Sequence, residues 1–453
     1  MNGVERLSGA RHRAAKIVKY SVSVGVALLA ALAGGPASAG TDWPEFRGPY
    51  GDGHVSAPGE TKLAGYPLHW SETENVKWKT GIPYRGWSTP VMMEGQVWLT
   101  TATEDGHDFF VLGLDAETGK IRFNEKVFHC ETPESLGNAA LGNPPNSYAT
   151  PSPVIEAGHV YVHFGSYGTA CLETATGKVV WKREDLPCRH YRGPSSSPIL
   201  FENLLILTMD GVNLQYIVAL DKGSGRTVWK TDRSVEWNDQ DVPGQMAREG
   251  DLRKAHSTPL IVRVGDKVQM LSAGAKASYS YDPRSGRELW RVRYNDYSVA
   301  PRPLFDGGLA YFVTGLTKTE LWAVKADGQG DVTETQVLWK AKTHVGKYAS
   351  PILVDGLIYT AAEESFVSCL EAATGKIVWT ERIGGDYEAS PIYADGRLYF
   401  FNQQGVTTVL KPGRTCEVLA TNTLADGFMA SPAAAGKAFF LRTRTHLYRI
   451  EKD

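Results

Sequence analysis

Apolar residues along this chain fall in short runs, and the runs recur in sets. Eight times a Ser-Pro-like start is followed by an apolar run, at Pro90, Pro153, Pro198, Pro259, Pro303, Pro351, Pro391 and Pro432. A turn residue follows five positions later in most units: Gly95, Gly158, Gly308, Gly356 and Gly396, with Asn203 standing in once. Gly and Asn accept positive φ, so this position predicts a hairpin. Three residues on, an aromatic or aliphatic recurs (Trp98, Tyr161, Ile206, Tyr311, Tyr359, Tyr399), as a second strand facing a core requires. A third run is visible in 111–114, 217–220 and 321–324. Five units then carry an acid, a Gly four residues later with Lys or Arg beside it, and an aromatic four after the Gly. Asp221, Gly225, Arg226 and Trp229 are one set; Glu371, Gly375, Lys376 and Trp379 are another. The acid can accept turn N–H groups, the Gly reverses the chain into a fourth strand, and the aromatic can pack between sheets.

Four β-runs per unit at a period of roughly 40 to 50 residues predict a propeller or array. The last unit, from Ser431 to Ile450, has patterns for three strands only. The missing fourth is supplied by Val76-Lys77-Trp78-Lys79-Thr80, which reads like Val228 to Thr231 without a preceding unit. A ring closed by its first and last segments leaves only short, protected edges. The expected fold is therefore all-β: one eight-bladed β-propeller of four-stranded blades over residues 71–453. Residues 40–70 form an N-terminal extension whose Trp43, Phe46 and Trp70 favour packing on it.

The recurring D/E-x-x-x-G-K/R-x-x-W signatures resemble the tryptophan-docking repeats of the pyrroloquinoline-quinone-like (PQQ-like) propeller family. That family includes quinoprotein dehydrogenases and BamB-type outer-membrane assembly lipoproteins. The resemblance runs over about residues 70 to 450 and implies that Trp78, Trp181, Trp229, Trp290, Trp339 and Trp379 are structural docking residues. Asp42-Trp43-Pro44-Glu45-Phe46-Arg47-Gly48-Pro49, with Asp52-Gly53, also looks like the start of secreted bacterial members.

Residues 1–39 read as a secretory signal peptide: basic Arg11, Arg13, Lys16 and Lys19, an apolar stretch from about Tyr20 to Ala33, and Ala37-Ser38-Ala39 as the cleavage site. The apolar stretch is short for a spanning helix, which needs about 20 residues; a retained N-terminal anchor is the alternative. No Cys precedes Cys130, so the lipid-bearing cysteine of the assembly lipoproteins is missing. These features predict a periplasmic or secreted protein, monomeric, with no integral membrane segment once the signal is removed. The formal charge is −2, and losing Glu5 with five cations of the signal brings it to about −6. A weakly acidic surface lacks the basic stripe that phosphate backbones require, which argues against nucleic acid.

Cys171 and Cys369 share one repeat position and read as small buried hydrophobes, and Cys416 as inert. Cys130 and Cys188 fall in connections between successive blades, and in an oxidising compartment they are candidates for a disulfide.

Function on a rigid scaffold concentrates on its loops. The steps from Pro90 to Pro153 and from Pro198 to Pro259 are longer than the others, and long loops in compact domains are either functional or disordered. The first holds His129, Glu131, Glu134, Asn143, Asn146 and Tyr148. The second holds Trp237, Asn238, Asp239, Asp241, Arg248, Glu249, Asp251, Arg253, Lys254 and His256. Asp239 and Asp241 suit Ca²⁺ in part but lack the Gly and Glu of a helix-loop-helix site, and a solvated loop is the simpler reading. His129, His256 and His344 show no ligand spacing. The residues just ahead of the inner strands, Trp87, Tyr148, Arg192, His256, Tyr297, Tyr348, Tyr387 and Phe428, are expected to ring the channel mouth. Such a ring suits a sugar, a peptide or a planar cofactor, or else it plugs the hole between blades.

The chain has no G-x-S-x-G, H-E-x-x-H or G-x-x-x-x-G-K-[ST] motif. The residues therefore favour a non-catalytic binding or scaffold protein of the bacterial envelope, holding a protein, peptide or glycan. The alternative that the resemblance implies is a PQQ-dependent oxidoreductase with Ca²⁺. This sequence departs from that pattern in having no adjacent cysteine pair and no Asp, Glu and Asn set that carries over.

Overall fold

The computed structural model describes residues 42–57, 59–60, 62–136, 146–237, 250–342, 344–362 and 364–452. The signal-peptide reading of residues 1–39 falls outside them, as do Asn143, Asn238, Asp239, Asp241, Arg248 and Glu249. Eight antiparallel sheets make an eight-bladed propeller. Blade 1 is Val91–Met93, Gln96–Ala102, Asp108–Asp115 and Ile121–His129; blades 2 to 7 begin at Val154, Ile199, Leu260, Leu304, Ile352 and Ile392. Blade 8 takes Ala433–Ala435, Ala438–Arg442 and His446–Ile450 from the end of the chain, and its outer strand is Val76–Gly81. Trp78 opposes Arg449 and Gly81 opposes His446, so the ring closes where the sequence places it. Blade 4 carries a fifth, two-residue strand, Gly330–Asp331, which runs parallel along its outer edge.

The repeat signature has a packing cause. Gly225 has φ 71°, which L-residues resist, and a Cβ there would sit 2.6 Å from the Trp181 indole of the preceding blade. The same collision recurs between Gly119 and Trp78, Gly286 and Trp229, and Gly375 and Trp339. Each indole then donates its N–H to a carbonyl next to that turn: Trp78 to Ala116 (3.0 Å), Trp181 to Lys222 (2.9 Å), Trp229 to Pro283 (3.2 Å) and Trp339 to Ala372 (3.0 Å). Trp290 donates to Ala326 O and Trp379 to Gly413 O. With Phe123 on Gly177, rim contact at five of the eight blade junctions is thus one aromatic ring laid on one glycine. In the inner hairpins, Gly95, Gly158, Gly308, Gly356 and Gly396 all have positive φ. Asn203 does not; of the pair Glu202 and Asn203 only Glu202 (54°) is positive, at the turn position that is also positive at Glu94, Gly307, Asp355 and Asp395.

The Ser-Pro-like starts form the hub. Thr89 N–H donates to Ser152 Oγ, Ser152 N–H to Ser197 Oγ, and Ser197 N–H to Thr258 Oγ1, each at 2.9 Å. On the other side of the ring, Arg302 N–H donates to Ser350 Oγ, Ser350 N–H to Ser390 Oγ, and Ser390 N–H to Ser431 Oγ. The hydroxyl in front of each proline is therefore the hydrogen-bond link between neighbouring inner strands.

Blade 5 breaks the pattern with Arg302, and the break has a use. The extension crosses the axis against the far ends of the inner strands. Trp43 pairs with Met92 of blade 1, Ile155 N–H of blade 2 donates to Pro44 O, and Val55 N–H donates to Tyr393 O of blade 7. Arg302 donates to Pro259 O and Phe46 O and pairs with Glu45 (2.9 Å), while Arg47 donates to Pro351 O (2.9 Å) and Pro391 O (2.7 Å). Further along, the Asp395 carboxylate accepts the N–H groups of Ala64, Gly65 and Tyr66, and Tyr66 stacks on Phe439 at 4.7 Å.

Candidate functional site: an axial cavity

The inner strands diverge from a cavity of about 280 Å³. Phe46 of the extension contributes to its wall from the side where the inner strands end, so the axial channel is blind there. Apart from Leu316, from the loop between the second and third strands of blade 5, the rest of the lining comes from residues that precede the inner strands, and all eight connections contribute. The third residue before each repeat proline lines the cavity without exception: Trp87, Thr150, Ser195, His256, Ala300, Tyr348, Glu388 and Met429. Arg192, Lys254 and Tyr297 reach in from loops.

Of the residues expected at the mouth, Trp87, Arg192, His256, Tyr297 and Tyr348 line this cavity. Tyr148 and Tyr387 do not. Tyr148 is buried edge-on to Phe109 and donates to Glu134 O (2.7 Å); Tyr387 is buried edge-on to Phe400 and donates to Gly384 O (2.7 Å). Phe428 likewise packs on Phe401. In blades 7 and 8 the aromatic sits one residue ahead of the lining position, which Glu388 and Met429 take instead. The dull reading, in which some of these aromatics fill space between blades, applies to these three. Aromatic character missed Asn146, Lys254 and Glu388; a constant offset from the proline finds Glu388.

The two long connections both arrive at the mouth side, because both lead into inner strands. The first supplies Asn146, whose Nδ2 donates to Gly193 O (3.0 Å) and Ser195 Oγ (2.8 Å). It also supplies Glu134, which pairs with Arg189 (3.1 Å) and accepts Tyr191 N–H (3.2 Å). His129 lies outside the cavity, bonded to Asp108 (2.6 Å) and Glu131 (3.2 Å). The second supplies Lys254 and His256, with the Arg253 guanidinium 5.9 Å from the Trp237 ring centre. His344 packs on Phe366 at 4.5 Å, away from the cavity lining.

The loop from Tyr191 to Gly193 holds positive φ at three successive residues (43°, 91° and 87°), and Ser298 holds 57°. Left-handed non-Gly backbone costs of order 1–3 kcal/mol per residue and clusters at ligand sites. Burial, with Lys254, His190 and Arg192 nearby, pulls His256 down to about 3, so its ring is neutral at pH 7. Two polar atoms of the lining are buried without a hydrogen-bond partner, Trp87 Nε1 and Ser298 Oγ. All five cysteines are free thiols, including the Cys130 and Cys188 expected to pair. Cys188 is buried with its Sγ 3.8 Å from Leu214 O.

Behind the lining, His163 bonds Thr169 Oγ1 (2.8 Å), and burial, then the His190 charge, pulls it down to about 3; burial pulls His190 down to about 4. In the unfolded chain both titrate near 6.5. As pH falls the unfolded state takes up these protons first, so the stability of the neutral rings is complete above about 6.5 and is lost as pH drops towards 4 and then 3. Urea unfolding is expected to lose about 2 kcal/mol per ring between pH 7 and pH 5, and His163→Asn to flatten that slope; an unchanged slope would contradict buried neutral rings.

This geometry defines a class, an eight-bladed propeller with one axial cavity built from every inter-blade connection. A family model described as "Outer membrane protein assembly factor BamB" matches residues 145–381 and 213–453, more than half of the sequence, and the chain belongs to this PQQ-like repeat family. The assembly factor BamB of Moranella endobia (strain PCIT) is 22% identical over 200 residues, which are 42% of this chain and 48% of the relative, so the chain spans about half the length of the curated relative it matches. Among solved structures, BamB from Moraxella catarrhalis superposes with TM-score 0.55 at 11% identity, covering 83% of this chain and 99% of that one. A europium-containing methanol dehydrogenase superposes with TM-score 0.63 at 11% identity, covering 88% of this chain and 89% of that one. At such identities the likeness is one of fold. Ca²⁺ takes six to eight oxygen ligands with carboxylates among them, whereas among the described residues this cavity presents one carboxylate, Glu388. Among the described residues no group of three His, Cys, Asp or Glu gathers to hold a metal. The described residues do not fit a quinone with its calcium ion. No helix among the described residues is long and apolar enough to cross a membrane.

Proposed function

We infer that this protein is an exported binding propeller of the bacterial envelope, which holds its ligand or partner at the loop-rich mouth of the axial cavity. The observation that carries the reading is the convergence of all eight connections on one blind cavity with unpartnered polar atoms in its wall. A rigid ring that aims every loop at one point is organised for recognition. The relatives named as outer membrane protein assembly factors favour a partner in the envelope. Export rests on residues 1–39, and the absence of a cysteine ahead of Cys130 favours a soluble periplasmic or secreted form over a lipoprotein.

Cross-linking in an envelope fraction tests this reading. A photo-cross-linking residue at Trp237, beside the mouth, is expected to capture a specific partner, and one at Val418 on the outer rim is not; equal capture from both positions would remove the mouth as the binding surface. A second reading, a PQQ-dependent oxidoreductase, draws on the aromatic lining by Trp87, Tyr297 and Tyr348 and on the fold likeness to a methanol dehydrogenase. With PQQ and Ca²⁺ added, the binding reading expects no dye reduction by alcohols or sugars. Dye reduction would replace it with the oxidoreductase.

A further inference from the structure

The cavity wall is layered along the axis, and the layers specify the shape and the hydrogen-bond character of what it holds. Phe46 stands at the far side, where the extension crosses the axis. Next comes a belt of hydroxyls from the residue directly ahead of the repeat proline: Ser152, Ser197, Thr258, Ser390 and Ser431. Two residues earlier in their connections, and so nearer the mouth, stand Trp87 and Tyr348. The space is thus hydroxylic around its edge and aromatic at its two ends.

Each hydroxyl of the belt accepts one backbone N–H of the preceding blade, which leaves it a second lone pair and its own hydrogen. A ligand hydroxyl, donor and acceptor at once, uses both. Two further polar atoms lack a partner: Trp87 Nε1, which can only donate, and Ser298 Oγ, which can do either. Both side chains are buried, and Ser298 is held at a left-handed φ of 57°. They belong to the connections into blades 1 and 5, which face each other across the ring. A ligand that serves both carries polar groups on opposite edges. Water alone satisfies the belt but stays loosely held against Phe46 and Tyr348, and displacing such water with an apolar group gains affinity. The negative face of an aromatic ring suits the C–H face of a saturated one. At about 280 Å³ the space lies just under the roughly 300–1,000 Å³ of small-molecule sites, enough for one such ring.

On the binding reading given above, we propose that the cavity takes a free pyranose sugar whose hydroxyls are equatorial, as in glucose. The ring lies across the axis, with its C–H faces towards Phe46 and Tyr348. Its hydroxyls radiate to the serine and threonine belt, and at opposite edges to Trp87 Nε1 and Ser298 Oγ. An axial hydroxyl points along the axis instead, onto an aromatic face and away from the belt. A second sugar joined at the edge displaces a hydroxyl that the belt would hold.

The test is calorimetric titration and thermal melting of the full chain with glucose, galactose, mannose, cellobiose and glucuronate at equal ionic strength. Galactose and mannose each turn one hydroxyl axial, cellobiose adds a second ring, and glucuronate offers a carboxylate to Arg192, which also lines the cavity. Glucose is expected to raise the melting temperature and to bind at least about tenfold tighter than either epimer, a factor equal to about 1.4 kcal/mol. It is also expected to bind tighter than cellobiose or glucuronate. Trp87→Phe keeps a ring and removes the indole N–H; it is expected to cost about tenfold in glucose affinity while ligand-free melting holds or rises, because an unpaired buried donor is gone. Ser298→Ala is expected to cost about fivefold, with ligand-free melting within about 2 °C of the parent. Equal response to the three hexoses, tighter binding of cellobiose or glucuronate than of glucose, no response to any of the five sugars, or full glucose affinity in Trp87→Phe would each overturn the assignment. If the photo-cross-linker at Trp237 still captures an envelope partner while no sugar binds, the ligand assignment fails and the binding reading stands. If glucose binds and nothing is captured, the sugar site stands and the partner-holding role fails.

Discussion

Replacing Arg302 with methionine is expected to destabilise the protein by about 3–5 kcal/mol and to release the N-terminal extension from the axis. The guanidinium is almost wholly buried, and it is the only donor tying Pro259 O of blade 4 to Phe46 O and Glu45 of the extension among the described residues. Its loss orphans two carbonyls at about 1–3 kcal/mol each and leaves Glu45 without its counter-ion. Burial already raises the Glu45 pKa against the pull of Arg302, so the carboxyl sheds part of that cost by taking up a proton. Arg302→Ser separates the two roles of the position. A serine restores the hydroxyl that most other blades use to link inner strands, so the ring recovers part of the loss while the extension stays unclamped. The measurements are the urea midpoint and protease cleavage within residues 42–57. Both variants are expected to expose that segment, and the serine variant to lose about half as much stability as the methionine one. If either variant keeps the segment fully protected, Arg302 is not the clamp.

The second large effect is expected at the contact of blades 3 and 4. Arg233 grips Asp210 with two nitrogens, at 3.0 and 2.6 Å, and both side chains are 1% exposed. The same guanidinium donates to Ser272 Oγ (2.9 Å) and Tyr281 OH (3.2 Å) and lies 4.8 Å from the Tyr279 ring centre. Arg233→Met strands a buried carboxylate, for a loss of about 3–5 kcal/mol. The double variant Asp210→Leu with Arg233→Met removes both charges and is expected to regain most of that loss, since a buried pair gains little net stability over apolar residues of similar size. A double variant no better than the single one would mean that Ser272 and Tyr281 depend on the guanidinium more than Asp210 does.

These effects also mark how far the sequence is legible. The number of blades and the closing strand follow from spacing alone, because the units repeat local solutions. In five of them an acid caps the turn and a glycine takes φ near 70°, and at Phe123, Trp181 and Trp229 the aromatic four residues after that glycine lies against the glycine of the next blade. The hairpin at Asn203 reads correctly as a turn, but of its two central residues only Glu202 takes a positive φ, at the position that is also positive at Glu94, Asp355 and Asp395. Arg302 shows in the sequence only as a break in the Ser/Thr-Pro starts, and neither it nor Arg47 carries a local sign of its partners. Their partners, Glu45 and Phe46 for one and Pro351 and Pro391 for the other, lie more than two hundred residues away in the chain.

The candidate site was half legible for a related reason. Trp87, His256 and Tyr348 share the offset of three from their prolines, so the repeat itself aims them inward. Tyr148 and Tyr387 break that offset and turn into the blades, where they pack edge-on against Phe109 and Phe400. What the sequence determined by itself is the repeating unit, because hydrogen bonding and φ preference act over a few residues. What only the tertiary structure decided is the crossing of the axis by the extension, the gathering of Arg192, Lys254 and Glu388 around one cavity, and the unpartnered Trp87 indole, because each depends on segments from different blades converging at one axis.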